Sequence, residues 1–269
     1  MTDSILILGV VNVTPDSFSD GGQHADADAA IARAVELHDQ GAHVIDVGGE
    51  STRPGADRVS VDEEQARVLP VLRGLVERGI PVSVDTMNVE TARAAVEAGA
   101  AYINDVSGGL ADSEMHRFIA ASDVTYIASH WRGHSDAMQQ NAHYDDVVAE
   151  VRVELETRLA ELLIWGVDLD RVIVDPGLGF AKTAEHNWAL LRGMPQLQSL
   201  GCRVLIGASR KRFLAAFAPE GAPAAERDEA SATVAALASA AGAWGVRVHD
   251  VKRTARSLAV VDAWKGIGS

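Results

Sequence analysis

Cysteine is nearly absent from the 269-residue chain, with Cys202 the single example. One thiol excludes an internal disulfide and any zinc site built on cysteine pairs, and a reducing cytoplasm is the expected location. Aromatic residues make up only 5% of the chain, so Val, Ile, Leu and Ala must fill the core. The apolar run from Ile5 to Val13 is too short to span a bilayer, and no basic segment precedes it as in an export leader. Positive charge is also scarce: 24 Lys and Arg against 38 Asp and Glu leave a net charge of −14. That balance argues against nucleic acid or an anionic membrane as partner, since either needs a basic face. The GxxxxGKS/T phosphate loop and the HExxH zinc motif are missing, which leaves nucleotide hydrolysis and zinc proteolysis unsupported. The Gly-rich string Asp175 to Phe180 lacks phosphate-loop spacing, so Gly177 and Gly179 read as tight-loop residues. No Ser-His-Asp arrangement stands out.

What the chain does have is a rhythm. Short β-branched runs begin at Ile5, His43, Ile80, Ala101, Val124, Arg171, Arg203 and Gly245. Each is followed by a stretch of helical period, for example Ala27 to Gln40, Asp62 to Arg78, Val89 to Ala98, Tyr144 to Trp165 and Ala184 to Gln198. Eight β/α units over this length predict one α/β domain across residues 1–269, a (β/α)8 TIM barrel, with a doubly wound open sheet as the rival. Two polar stretches, Gly133 to Ala142 and Pro219 to Glu229, read as exposed loops. The small apolar residues from Ala230 to Ala243 predict a helix that is buried or faces another subunit.

Polar residues gather where the apolar runs end: Asn12, Asp46, Asp85, Asn104, His130, Asp175, Ser209 and the pair Arg247 and His249. In a barrel all of those ends open on one face, where catalytic groups collect. One such residue reads equally well as a helix N-cap, but a whole series of them does not. Asp85, Asn104 and Asp175 suit the N–H-rich edge of a heterocycle; a buried network that only stabilises the barrel is the alternative. Carboxylate pairs can also bind Mg²⁺ beside substrate phosphates. Ser51 to Gly55 offers hydroxyl, backbone and guanidinium donors suited to an anion. Ser209, Lys211, Arg247 and His249 follow the last two strands, where barrels often hold phosphate. A lone His130 at a strand end is more often hydrogen-bonded than metal-bound. Arg212 and Lys252 also read as solvated surface charges.

The strings NVTPDSFSDGG (Asn12 to Gly22), DVGGESTRPG, SVDT, INDVSGG, DPGLGFAKT, GASRKRF (Gly207 to Phe213) and GVRVHDV resemble those of the dihydropteroate synthase family, in the family's order from Asn12 to Val251. The HWR at His130 to Arg132 and the AKTAEHNW run look most like actinobacterial members. The resemblance implies an enzyme that joins p-aminobenzoate to 6-hydroxymethyl-7,8-dihydropterin diphosphate, giving 7,8-dihydropteroate and diphosphate. It implies that Asp85, Asn104, Asp175 and Lys211 hold the pterin, with Val106 and Phe180 as apolar contacts. Asn12, Thr52, Arg247 and His249 match diphosphate positions, and Asn12 also matches a Mg²⁺ ligand. Arg53, Pro54, Phe180 and Ser209 match the p-aminobenzoate side. Asp20 and Arg53, on the first two loops, would close over the site and join Asp85 and Lys211 as catalytic residues. Members are commonly cytoplasmic homodimers and sulfonamide targets. The sequence departs from the pattern at Ser129, where an apolar residue, commonly Met, precedes the histidine. Two rivals are a methyltetrahydrofolate-type methyltransferase and a non-catalytic pterin-binding paralogue; the intact STRPG and SRK strings argue against both.

Overall fold

The computed structural model describes residues 4–14, 22–50, 59–133 and 141–267. Eight parallel strands close on themselves in sequence order, so the sheet is a barrel and not an open doubly wound layer. The strands are β1 (Leu6–Asn12), β2 (Val44–Gly48), β3 (Val82–Asp85), β4 (Tyr102–Asp105), β5 (Thr125–Ser129), β6 (Val172–Asp175), β7 (Arg203–Ile206) and β8 (Gly245–Val248). Around them lie α1 (Gly22–Asp39), α2 (Val61–Val76), α3 (Val89–Glu97), α4 (Met115–Ala120), α5 (Val147–Ile164), α6 (Ala184–Arg192), α7 (Met194–Gln198), α8 (Asp228–Ala240) and α9 (Val251–Lys265).

Side chains alternate between the two faces of a strand, and that alternation separates the core from the site. Leu8, Val44, Ile127, Ile173 and Leu205 form a compact apolar cluster of their own, with Tyr102 and Trp244 packed against it. Two residues further along β2, β4 and β6, on the same face, stand Asp46, Asn104 and Asp175, and Arg247 stands two past Gly245 on β8. The intervening residues, among them Ile45, Val47, Val82, Val84, Ile103 and Val174, join the larger core beneath the helices. The barrel therefore has an apolar floor and a polar mouth, encoded by a two-residue period.

Helix ends follow local chemistry. Asp146 caps α5 by accepting from the backbone N–H groups of Val148 and Ala149, so the helix starts at Val147 and not at Tyr144. The stretch expected as one helix from Ala184 to Gln198 is two, joined at Gly193, because Pro195 supplies no N–H to continue the ladder. The Pro219 to Glu229 stretch is mostly exposed, as expected, but includes a 3-10 turn at Ala224–Arg227 and the start of α8. Helix α8 buries Ala232, Val234, Ala235 and Ala238, and its main helix neighbour is α9. Residues 134–140 of the other expected loop lie outside the described residues. No helix among the described residues is long and apolar enough to cross a membrane.

Candidate active site at the mouth of the barrel

Strand register sets the first row of the site. Asn12 lies beside Gly48, Gly48 beside Asp85, and Asp85 beside Asn104. A Cβ on Gly48 would stand 3.8 Å from Asn12 Oδ1 and 3.7 Å from Asp85 Oδ2, so this glycine keeps the space between an amide and a carboxylate open.

On the β2, β3 and β8 side the organising group is Arg247. Its Nε donates to Asp46 at 2.6 Å and its terminal nitrogen donates to Asp85 at 2.8 Å. Asn104 also donates to Asp46, at 3.3 Å, so a fully buried carboxylate is held from two directions. Burial pushes Asp85 up to about 7; the carboxylates of Asp46, Glu64 and Asp105 push the same way, while Arg247 pulls it down. Burial works against the charge of Arg247, but Asp46 and Asp85 outweigh it and hold the guanidinium above its ordinary value.

On the β6 and β7 side the cations are lysines. Asp175 Oδ1 accepts from the Gly177 backbone N–H at 2.7 Å, and its carboxyl is raised by burial against the pull of Lys211. Lys211 donates to the Leu178 carbonyl and sits 4.5 Å from the centre of the Phe180 ring. Burial draws Lys211 down to about 8, opposed by Asp175. Gly177 and Gly179 are tight-loop residues, as their composition suggested: both have positive φ, and a Cβ on Gly177 would lie 2.1 Å from the His130 carbonyl. Between the two sides, Ser209 Oγ lies 3.0 Å from His249 Nδ1 and accepts from the His249 backbone N–H at 3.1 Å.

The fold thus brings Asn12, Asp85, Asn104, Asp175, Ser209, Lys211, Arg247 and His249 to one mouth, with buried Val106 just past β4 and half-buried Phe180 past β6. Asp20, Thr52, Arg53 and Pro54 lie outside the described residues. His130 is hydrogen-bonded, as a lone strand-end histidine was expected to be, and Arg212 is exposed. Sequence reasoning did not single out Lys182 or Glu154. Lys182 stood inside a quoted motif without a role, and nothing in the spacing connects a residue of α5 to the end of β5. Asp46 was read only as a strand-end carboxylate, although it is the group that anchors Arg247.

Carboxylates, an amide and cations gather around one barrel mouth, the face on which enzymes of this fold carry their active sites. Residues 8–249 match the family described as pterin binding enzyme. The chain is 46% identical over 269 residues to a dihydropteroate synthase of Mycobacterium leprae, covering 98% of this chain and 95% of that protein. The structure matches that of a Xanthomonas albilineans dihydropteroate synthase with 4-aminobenzoic acid at a TM-score of 0.92 and 42% identity, over 99% of this chain and 95% of that one. Another structure of the Xanthomonas albilineans enzyme, in complex with 7,8-dihydropteroate, matches at 0.88 and 39%, over 99% and 96% of the two chains. The chain belongs to the pterin-binding enzymes, in their dihydropteroate synthase branch.

Proposed function

We infer that the chain joins p-aminobenzoate to 6-hydroxymethyl-7,8-dihydropterin diphosphate, releasing diphosphate and forming 7,8-dihydropteroate for folate synthesis. The observation that carries this is the pair of unlike cations, Arg247 held by Asp46 and Asp85 and Lys211 beside Asp175, at one polar barrel mouth in a member of this family. Asp175 and Asn104 suit the N–H edge of the pterin, while Phe180 and Val106 suit its faces. Arg247 and His249 suit the diphosphate, where fixed positive charge favours departure of the leaving group.

As the C–O bond to diphosphate breaks, positive charge develops on the pterin methylene, and the Asp85 carboxylate favours that charge. The arylamine nitrogen then bonds to the methylene carbon and gives up a proton to diphosphate or water. An electrophile that is already cationic needs no strong base, and we assign none. By the family resemblance Thr52 belongs to the diphosphate and Arg53 and Pro54 to the p-aminobenzoate, and loops carrying Asp20 and Arg53 would exclude water from the reacting atoms.

Mg²⁺ fits the residues at hand. Among the described residues no three His, Cys, Asp or Glu groups gather as a metal cage. Asn12 offers one amide oxygen beside the opening at Gly48. Mg²⁺ keeps several waters and takes substrate phosphate oxygens, so Asn12 would add one protein oxygen to an ion that neutralises the leaving group. We also propose a cytoplasmic homodimer, with α8 as a contact: Leu237 on α8 and Val260 and Trp264 on α9 are 63%, 68% and 90% exposed.

The test is dihydropteroate formation from the two substrates with Mg²⁺, followed beside diphosphate release. Product that disappears with a chelator and returns with Mg²⁺ supports the reading. Pterin binding without product would leave the non-catalytic paralogue. Diphosphate release without product in Arg53→Ala would support the water-excluding role of the loops.

A further inference from the structure

One buried cation has no part in the chemistry above. Lys182 is 5% exposed and lies beyond β6. Its Nζ donates to the carbonyls of Gly177 at 3.1 Å and Phe180 at 3.0 Å, and to His130 Nδ1 at 2.9 Å. An ammonium has three N–H donors and no acceptor, so these partners saturate it. Because Nδ1 accepts, His130 is the neutral tautomer whose Nε2–H donates to Glu154, at 2.9 Å. Burial first, and the charge of Lys182 second, push His130 down to about 4, consistent with a neutral ring. Arg132 holds Glu154 in turn, at 3.1 Å through Nε. A continuous chain of polar contacts therefore runs from α5, through the end of β5, into the loop between β6 and α6.

That loop needs holding. Gly177, Gly179 and Ala181 have φ of +65°, +79° and +47°, and left-handed backbone at alanine carries a steric penalty that glycine avoids. Lys182 takes the carbonyls of residues 177 and 180, and Lys211 takes that of Leu178, one of the two residues between them. Lys182 makes no hydrogen bond to a side chain assigned to substrate, although its charge reaches Asp175 and Lys211.

We propose that Lys182 is a positioning residue: it fixes the loop from Gly177 to Phe180 so that the Phe180 ring and the Lys211 ammonium meet the substrates in register. The proposal rests on the synthase reading. Its test is a double-mutant cycle with kcat and KM measured for both substrates in wild type, Lys182→Met, Phe180→Ala and the double variant, and with melting temperature recorded for each. A misplacement of about 1 Å is enough to cost roughly 30- to 100-fold in kcat/KM, and that loss is expected in Lys182→Met. Because the larger part of the effect passes through the loop that carries Phe180, the double variant is expected to fall no more than about threefold below the weaker single variant. A merely structural lysine would give losses that multiply, and that result, or a wild-type rate in Lys182→Met, overturns the proposal. Should the Met variant not fold, Lys182→Gln, which keeps two N–H donors without the charge, takes its place under the same expectations. Absence of product in the wild type would sink the synthase reading instead, whatever the variants do.

Discussion

The two cationic sides of the barrel mouth are held in opposite ways. Arg247 lies between two carboxylates, Asp46 and Asp85, whereas Lys211 and Lys182 rest on backbone carbonyls and an imidazole. A planar guanidinium can bond two carboxylates at once and stays charged at any working pH. An ammonium satisfied by neutral acceptors keeps its donors but receives little compensation for desolvation, so its proton becomes labile. The lysines are accordingly drawn down to about 8 and about 7, while Arg247 is raised. One side is a permanent charge suited to an anion that leaves; the other is a tunable group beside an aromatic ring, suited to an uncharged heterocycle.

The largest expected effect comes from breaking the lysine side. Lys211→Ala removes the contacts to Leu178 and Phe180, and product formation is expected to fall about 10²-fold, the scale of a substrate held out of register. A loss under tenfold would mean that Lys211 only packs. On the arginine side, Asp46→Asn leaves Arg247 short of a fully buried partner. Breaking such a pair costs on the order of 3 kcal/mol, which urea unfolding would register. Unchanged stability would indicate that Asp85 alone anchors the guanidinium.

Acidity sharpens the same contrast. In the free enzyme Asp85 gains a proton below about 7 and Lys211 loses one above about 8. The proposed mechanism uses Asp85 as a carboxylate and Lys211 as an ammonium, so kcat/KM should rise with pH up to about 7 and fall above about 8. Lys211→Arg should move only the alkaline limb upward; movement of the acid limb instead would reverse the assignment. The smallest effect is expected at Ser129, which is buried and shares the strand face of Ile127. Ser129→Met restores the residue usual in the family, and pterin KM should shift by less than about threefold, as apolar adjustments of this size do.

Much of this architecture was legible because period and punctuation both survive in sequence. Most strands carry a polar residue at or next to their C-terminal ends, and closure turns those ends into a ring, which is why Asp85, Asn104, Asp175 and Arg247 were found. Pairing was not legible. That Arg247 spends its fork on Asp46 and Asp85 depends on which strands adjoin β8 across the lumen, and sequence order does not carry that distance. Lys182 was hidden for a related reason: its partners are two carbonyls of its own loop and a histidine 52 residues away, so no spacing rule links them. The division of the Ala184 to Gln198 stretch at Gly193 was, by contrast, readable from Pro195, had its missing N–H been weighed against the helical period.

The most direct test of the two-sided account is calorimetric titration of 6-hydroxymethylpterin and of inorganic diphosphate with Mg²⁺, each separately, into wild type, Lys211→Ala and Arg247→Met. The account predicts a crossover: Lys211→Ala weakens the pterin by more than about tenfold and spares diphosphate, and Arg247→Met does the reverse. Equal weakening of both ligands in both variants would contradict it, because the two cations would then form one undivided site.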